Sequence, residues 1–192
     1  MSGRASRLLR DLLAAGGIDR RAMLRRLLAW SLRRAASEQG LAPLVERLRA
    51  IEPDLSGQYT LPVEMDLYLE TKIRAQHAFQ CDLMLRALER LPPGKLTVVD
   101  FGDSSGRHLH YLRELAGVRF DLETGGVNLD PIAVEKIRAR GHRAVECRAE
   151  TLDLEGQRID LFLSFEMLEH LHDPAGFRTG WRWAPTAVST SW

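Results

Sequence analysis

The chain has only two cysteines and no long apolar run, and each shortage excludes a class of protein. Cys81 and Cys147 are too few for a disulfide framework, which fits a reducing compartment, so we expect a cytoplasmic protein. No apolar run approaches the ~20 residues that span a bilayer, so no transmembrane segment is predicted. With 192 residues, 45% hydrophobic and 28% charged, the composition indicates one globular domain plus an appendage.

Lysine is absent from the first 50 residues, although this part of the chain is strongly basic. It holds 11 arginines against four acidic residues, a net charge of +7, whereas the remainder carries −6. Apolar residues recur at helical spacing over residues 4–15 and 20–37. The second of these helices is predicted to bury one side, which consists of Met23, Leu24, Leu27, Leu28 and Trp30.

The arginines of this basic extension make an anionic partner a candidate. A charge run most often forms a solvated helix face, and we prefer that interpretation for residues 1–55. Three alternatives stay open beside it: an organelle transit peptide, an anionic membrane surface and nucleic acid.

Residues 98–106 predict a buried strand, a tight turn and the start of a helix. Two valines lead into Asp100, and the glycine turn, residues 102–106, follows at once. Glycine allows positive φ angles and lets a ligand approach the bare backbone, while the helix that follows offers unpaired N–H groups. Such a turn holds nucleotides or cofactors in many α/β proteins.

A second carboxylate follows a second predicted strand at residues 125–130. Asp130 lies 24 residues after Gly106, close to the spacing at which an acid meets ribose hydroxyls in dinucleotide-binding folds. However, Asp100 and Asp103 would repel a pyrophosphate. The turn therefore favours a cationic or zwitterionic ligand, and an oxidoreductase that uses a dinucleotide is a distant alternative.

Three segments, in this order, resemble the class I S-adenosylmethionine-dependent methyltransferases. Residues 100–106 are similar to the acidic-glycine motif of that family, with Ser104 where a glycine is usual. Asp130 matches the acid after the second strand, and residues 159–174 resemble the fourth strand and its continuation. The resemblance covers roughly residues 96–177. It implies an α/β fold with a Rossmann-like parallel sheet of about four strands, ordered 3-2-1-4, behind a helical N-terminal cap.

The resemblance also implies S-adenosylmethionine as cofactor. Asp130 would bind both ribose hydroxyls, and Asp100 or Asp103 would orient the methionyl ammonium or its waters. Arg148 stands where the family often has an aspartate for the adenine amino group; because arginine cannot accept a hydrogen bond, that contact is left to Glu150 or a backbone carbonyl. The predicted cofactor-binding residues are Asp100, Gly102, Asp103, Ser104, Gly106, Asp130, Glu150 and Phe165. No catalytic base is assigned.

No metal site is predicted. His170 and His172 are two residues apart, as are His108 and His110, and that spacing on a helix directs the side chains to different sides.

The predicted domains are a basic helical extension over 1–55, a methyltransferase-like domain over 56–177 and an irregular tail over 178–192. Because only four strands are found where the family has seven, we expect a truncated or frame-shifted product. Two functions follow: methyl transfer from S-adenosylmethionine to an unidentified acceptor, or non-catalytic binding of the cofactor or of a partner.

Overall fold

The computed structural model describes residues 19–59, 63–152 and 158–174, which form helices and one parallel sheet. The α-helices are α1 (Arg20–Glu38), α2 (Ala42–Ile51), α3 (Leu67–Glu89), α4 (Arg107–Leu115) and α5 (Pro131–Ala139). The strands are β1 (Gly94–Phe101), β2 (Phe120–Asn128), β3 (Arg143–Glu146) and β4 (Leu161–Ser164). Short 3-10 turns cover Gly117–Arg119, Ala149–Thr151 and Leu168–His170. None of the described helices is both long and apolar enough to cross a membrane.

The chain divides into two compact units. Among the described residues, the first unit comprises 19–55 and 64–79, and the second comprises 56–59, 63, 80–152 and 158–174. The predicted three-part division of the chain into functional domains stays a prediction. The helix predicted over residues 4–15 and the predicted tail lie outside the described residues.

In the first unit, α1 forms where it was predicted but buries different residues. Asp19 caps its start, where Oδ1 accepts a hydrogen bond from the Arg21 N–H at 2.9 Å. The helix buries the small side chains Ala29 and Ala36. The predicted burial of Met23, Leu24, Leu27, Leu28 and Trp30 is wrong, because all five are exposed. Helical periodicity identified an apolar side but not whether anything covers it.

The second unit contains the sheet, whose order β3-β2-β1-β4 confirms the prediction. All three strand pairs are parallel; β1 pairs with β2 along its whole length, from Gly94 opposite Phe120 to Phe101 opposite Val127. β4 pairs with only four residues of β1, so it is shorter than predicted and Phe165 lies beyond its end. The β1–β4 contact includes a stacked pair, Phe101 and Phe162, with ring centroids 4.4 Å apart.

Parallel pairing brings the carboxyl ends of all four strands to one edge of the sheet. The chain leaves β1 for β2 on one side, while β4 lies on the other, so β1 and β4 form the point at which the strand order reverses. Ligands of open α/β sheets bind at such a point, outside the carboxyl ends of the strands. The glycine turn follows β1 there.

Candidate functional site

Gly102 and Gly106 hold the glycine turn in a shape that other residues would strain. Their φ angles are +91° and +74°, in the left-handed region that favours glycine. A Cβ on Gly106 would lie 3.1 Å from the Ile137 Cα, which is backbone and cannot rotate away. A Cβ on Gly102 would lie 2.7 Å from the Cγ of Met167, so the Met167 side chain packs directly on this glycine. Neighbouring residues therefore pack closely against both glycines of the turn.

Both carboxylate oxygens of Asp103 accept hydrogen bonds from nearby backbone N–H groups. Its Oδ1 accepts a hydrogen bond from the Ser105 N–H at 2.9 Å, and its Oδ2 accepts one from the His108 N–H at 3.1 Å. These donors belong to the turn and to the first turn of α4, where N–H groups lack helical partners. The carboxylate is buried. Asp103 thus shapes the turn from within.

Asp100 and His108 form a buried charged pair under the turn. The Nδ1 of His108 lies 3.0 Å from the Oδ2 of Asp100, and its Nε2 lies 3.0 Å from the Oε1 of Gln80. Both ring nitrogens thus face acceptor oxygens, an arrangement that a doubly protonated imidazole satisfies as a donor to each. The ring of Phe165 packs edge-on against His108, with centroids 5.0 Å apart.

Burial and charge shift both groups of this pair. Burial alone would lower the pKa of His108, but Asp103 and Asp100 outweigh it and raise the pKa to about 9. Burial raises the pKa of Asp100, although its hydrogen bond with His108 and the charge of that ring act in the opposite direction. A proton is therefore held between the two side chains across neutral pH.

The same three side chains are close enough to ligate a cation, since their ligand atoms lie within 4.8 Å of one another. Their hydrogen bonds argue for a protein-only cluster. Three of the four carboxylate oxygens already face N–H donors. We therefore describe Asp100, Asp103 and His108 as an internal charge cluster, and the expectation of no metal site stays a prediction.

Asn128 ties the loop after β2 to the glycine turn. Its Nδ2 donates to the backbone oxygen of Asp103 at 3.1 Å, and its Oδ1 accepts from the Asp130 N–H at 2.8 Å. Asp130 also caps α5, because its Oδ1 accepts from the Ile132 N–H at 2.9 Å. One amide side chain thus fixes the position of Asp130 relative to the turn.

Residues 56–59, which we call the strap, are hydrogen-bonded to the glycine turn and to α5. The Ser104 hydroxyl donates to the Gln58 backbone oxygen at 2.9 Å, and Nη1 of the buried Arg107 donates to the Gln58 side chain at 2.6 Å. Lys136 Nζ donates to the Tyr59 backbone oxygen at 2.6 Å. The serine that replaces a glycine of the family motif therefore has a defined contact in this chain.

Glu150 and Phe165 follow the carboxyl ends of β3 and β4. Phe165 joins the cluster through His108, whereas the contacts of Glu150 are with Arg148, at 3.5 Å, and with the His172 N–H, at 3.4 Å. Its own backbone N–H contributes most to a pKa below the usual range, and the neighbouring Arg148 acts in the same direction. Glu150 is thus a charged acceptor at the predicted edge, but no described contact joins it to the glycine turn.

Sequence reasoning missed His108 and Asn128. His108 was considered only with His110 as a metal pair, yet a signal was present: Asp100 ends a buried strand, and a buried carboxylate requires a partner. The next helix offers a basic side chain at its second residue. Asn128, two residues before Asp130, had no signal, because its role depends on which backbone groups the fold brings near it.

The fold and the site define a class: an α/β protein with a Rossmann-like sheet and a glycine turn at the point of strand reversal. Residues 99–182 match the family described as methyltransferase domain, over fewer than half of the 192 residues. This match confirms the resemblance to class I methyltransferases. The four-stranded parallel sheet, in a chain that also has N-terminal helices, is accordingly a Rossmann-like methyltransferase fold.

Two solved structures are similar at low identity. One is a chain from the complex between the Haloferax volcanii Trm112 methyltransferase activator and a methyltransferase, at 24% identity and a TM-score of 0.41, covering 54% of this chain and 48% of that chain. The other is coclaurine N-methyltransferase bound to N-methylheliamine and SAH, at 15% identity and a TM-score of 0.39, covering 88% of this chain and 56% of that chain.

The chain thus spans about half the length of the solved structures that it matches. Among curated proteins, none matches the sequence significantly. The family match over residues 99–182, rather than these distant likenesses, carries the assignment to methyltransferases.

Proposed function

We propose that this chain binds S-adenosylmethionine over the glycine turn and transfers its methyl group to an acceptor. The observation that carries the proposal is the position of the turn: it follows β1 at the point where the strand order reverses, in a chain with a methyltransferase domain.

The predicted binding residues follow the ends of all four strands, which supports a shared ligand. Asp130 follows β2, Glu150 follows β3 and Phe165 follows β4, while the glycine turn follows β1. A ligand that crosses this edge would meet each of them. We assign the ribose hydroxyls to Asp130, because Asn128 fixes it beside the turn and one carboxylate accepts two hydroxyls.

The two carboxylates at the glycine turn influence which ligand charge is favoured there. Asp100 and Asp103 are buried and face His108 and backbone N–H groups, and we propose that they act on the ligand mainly through their charge. Asp100 and Asp103 outnumber His108 in the cluster under Gly102–Gly106, and we propose that the electrostatic potential there is negative. That potential favours a ligand with a cationic centre and disfavours a pyrophosphate.

The cofactor would supply an already activated methyl group when bound. The residues of this chain then have to orient the donor and exclude water, which is where most of the rate gain in such a transfer lies. Phe165 and Met167 are the apolar side chains next to the turn that suit the second task. We assign no general base, since none is required for an acceptor that is already nucleophilic.

The decisive experiment is calorimetric titration of S-adenosylmethionine into the wild type and Asp130→Ala, with thermal melts of both. Charge-assisted hydrogen bonds contribute about 1.5–3 kcal/mol each, so the affinity of Asp130→Ala should fall at least tenfold. Because Asp130 also caps α5, the variant should in addition lose about 1 kcal/mol of stability.

Asp19→Ala is the matched control, because Asp19 caps α1 through the same 2.9 Å contact with the second N–H that follows it. It should lose the same stability and none of the affinity. If Asp130→Ala binds S-adenosylmethionine as tightly as the wild type, then Asp130 acts only as a helix cap. A folded wild type that binds neither S-adenosylmethionine nor its demethylated product would overturn the proposal, and binding without turnover would favour the non-catalytic alternative.

A further inference from the structure

One side of α1 is an apolar surface that is exposed in the part of the chain that the structure describes. Its five large apolar side chains, with exposed fractions between 39% and 61%, form what we call the apolar stripe: Met23, Leu24, Leu27, Leu28 and Trp30. Met23, Leu27 and Trp30 recur at intervals of four and three residues, and Leu24 and Leu28 form the row beside them. Single exposed apolar residues are ordinary, but a continuous row of this kind marks an interaction surface.

Arginines surround the apolar stripe. At about 100° per residue, Arg26 and Arg33 border one side and Arg21 and Arg25 the other, while Arg20 and Arg34 lie at its two ends. No acidic residue occurs between positions 20 and 37. Arg25 pairs with Asp66 and Arg34 pairs with Glu38, and exposed ion pairs of this kind are weak.

The inner side of the helix is already used. Ala29 and Ala36 are buried, with exposed fractions of 1% and 7%, so α1 is anchored by small side chains on the side opposite the stripe. The stripe is therefore free to contact a partner without disturbing the packing of the helix.

We propose that α1 docks on the surface of an anionic lipid bilayer, with the apolar stripe in the headgroup region and the arginines at the lipid phosphates. A basic helix with leucines and a tryptophan on one side lies in the plane of a membrane interface in this way. Tryptophan is favoured at that depth, and each arginine is attracted to an anionic leaflet.

Charge complementarity favours lipid over the other occupants. A second copy would bring six more arginines against the first six, and residues 4–15 add three arginines against one aspartate, so like charges would meet. Nucleic acid would satisfy the arginines but would leave four exposed aliphatic side chains without an apolar partner. Of these three kinds of occupant, the anionic bilayer matches both features of this surface, and it is the occupant that we propose.

The test uses the full chain with Trp30 as its only tryptophan, obtained by changing Trp181, Trp183 and Trp192 to phenylalanine. Titration with vesicles of phosphatidylcholine and phosphatidylglycerol should shift the Trp30 emission to the blue, and brominated lipids should quench it. Pure phosphatidylcholine vesicles should cause neither effect, and added salt should weaken the binding.

Two variants separate the contributions of charge and apolar area. Arg26→Gln with Arg33→Gln should weaken vesicle binding about 25-fold, since each arginine near the surface is worth about fivefold. Leu24→Gln with Leu27→Gln should weaken it at least about tenfold. The matched control, Phe79→Gln with Leu83→Gln, removes two similarly exposed apolar side chains from α3 and should bind like the wild type.

Several outcomes would overturn the proposal. One is a Trp30 emission that vesicles do not change. Another is equal binding to neutral and anionic vesicles. A third is a loss of vesicle binding in the α3 control as large as that in Leu24→Gln with Leu27→Gln. A blue shift that appears without vesicles as the protein dimerises would assign the surface to a second copy. Tighter binding of RNA or DNA that depends on Arg26 and Arg33 but not on Leu24 and Leu27 would assign it to nucleic acid.

Discussion

Helix α1 and the glycine turn use charged residues in opposite ways. On α1 the arginines and the large apolar side chains are both exposed, and the helix is anchored by alanines. At the glycine turn Asp100, Asp103 and His108 are buried and bound to one another or to backbone N–H groups. Charge that faces outward can be satisfied by water or by a partner, whereas charge that faces inward must be satisfied by the fold.

The difference indicates where mutations should act. Exposed arginines contribute little to stability, so their loss should appear in binding measurements. Mutations in the buried cluster should first lower the free energy of unfolding and should weaken cofactor binding only as a consequence. The following predictions test the glycine-turn side of this contrast through the unfolding free energy, whereas the arginine variants of α1 test the other side through vesicle binding.

The largest expected effect is that of His108→Leu. The change leaves Asp100 and Asp103 buried without their cation, and removal of one partner from a buried ion pair costs about 3–5 kcal/mol. Denaturant unfolding at pH 6.5 measures this loss. The control is His142→Leu, which removes another buried histidine whose pKa is lowered to about 4, so that no cation is lost. Equal losses in the two variants would show that packing, not charge, explains the cluster.

The next prediction concerns pH. Because the pKa of His108 is raised from 6.5 to about 9 in the folded state, its contribution is fully present below pH 6.5 and is lost as the pH rises through 9. A shift of this size corresponds to about 3 kcal/mol. Unfolding free energies at pH 6.5 and 9.5 should therefore differ by about that amount more in the wild type than in His108→Leu. Parallel pH profiles in the two proteins would contradict a charged His108.

Much of the fold follows from local signals in the sequence. The valines of β1, the two glycines of the turn and the proline that begins α5 each constrain the backbone directly, so they predict elements within a few residues. The strand order came from the family resemblance, not from these patterns. The apolar stripe shows the limit: periodicity aligns Met23, Leu27 and Trp30, but burial depends on what the rest of the chain places against them.

The sequence predicts which residue types form the candidate site, but it predicts their individual contacts less well. The cofactor contact of Asp103 stays a prediction, but its carboxylate also accepts two hydrogen bonds from the turn and from α4, a role that sequence reasoning did not identify. The contact between His108 and Gln80 joins residues 28 positions apart, and no local pattern encodes such a distance. Sequence reasoning therefore located the acids, and tertiary structure decided which of them point inward.

Ser104→Ala should have the smallest effect, because it removes one neutral hydrogen bond between the glycine turn and the strap. The Ser104 hydroxyl donates to the Gln58 backbone oxygen at 2.9 Å in a partly buried contact, worth about 0.5–1.5 kcal/mol of unfolding free energy. The adjacent Ser105→Ala is the matched control, since its hydroxyl lies at the long distance of 3.5 Å from Asp103 and its backbone N–H is retained. It should lose less. An unfolding free energy of Ser104→Ala equal to that of the wild type, measured by denaturant unfolding, would show that the strap contact adds nothing to stability.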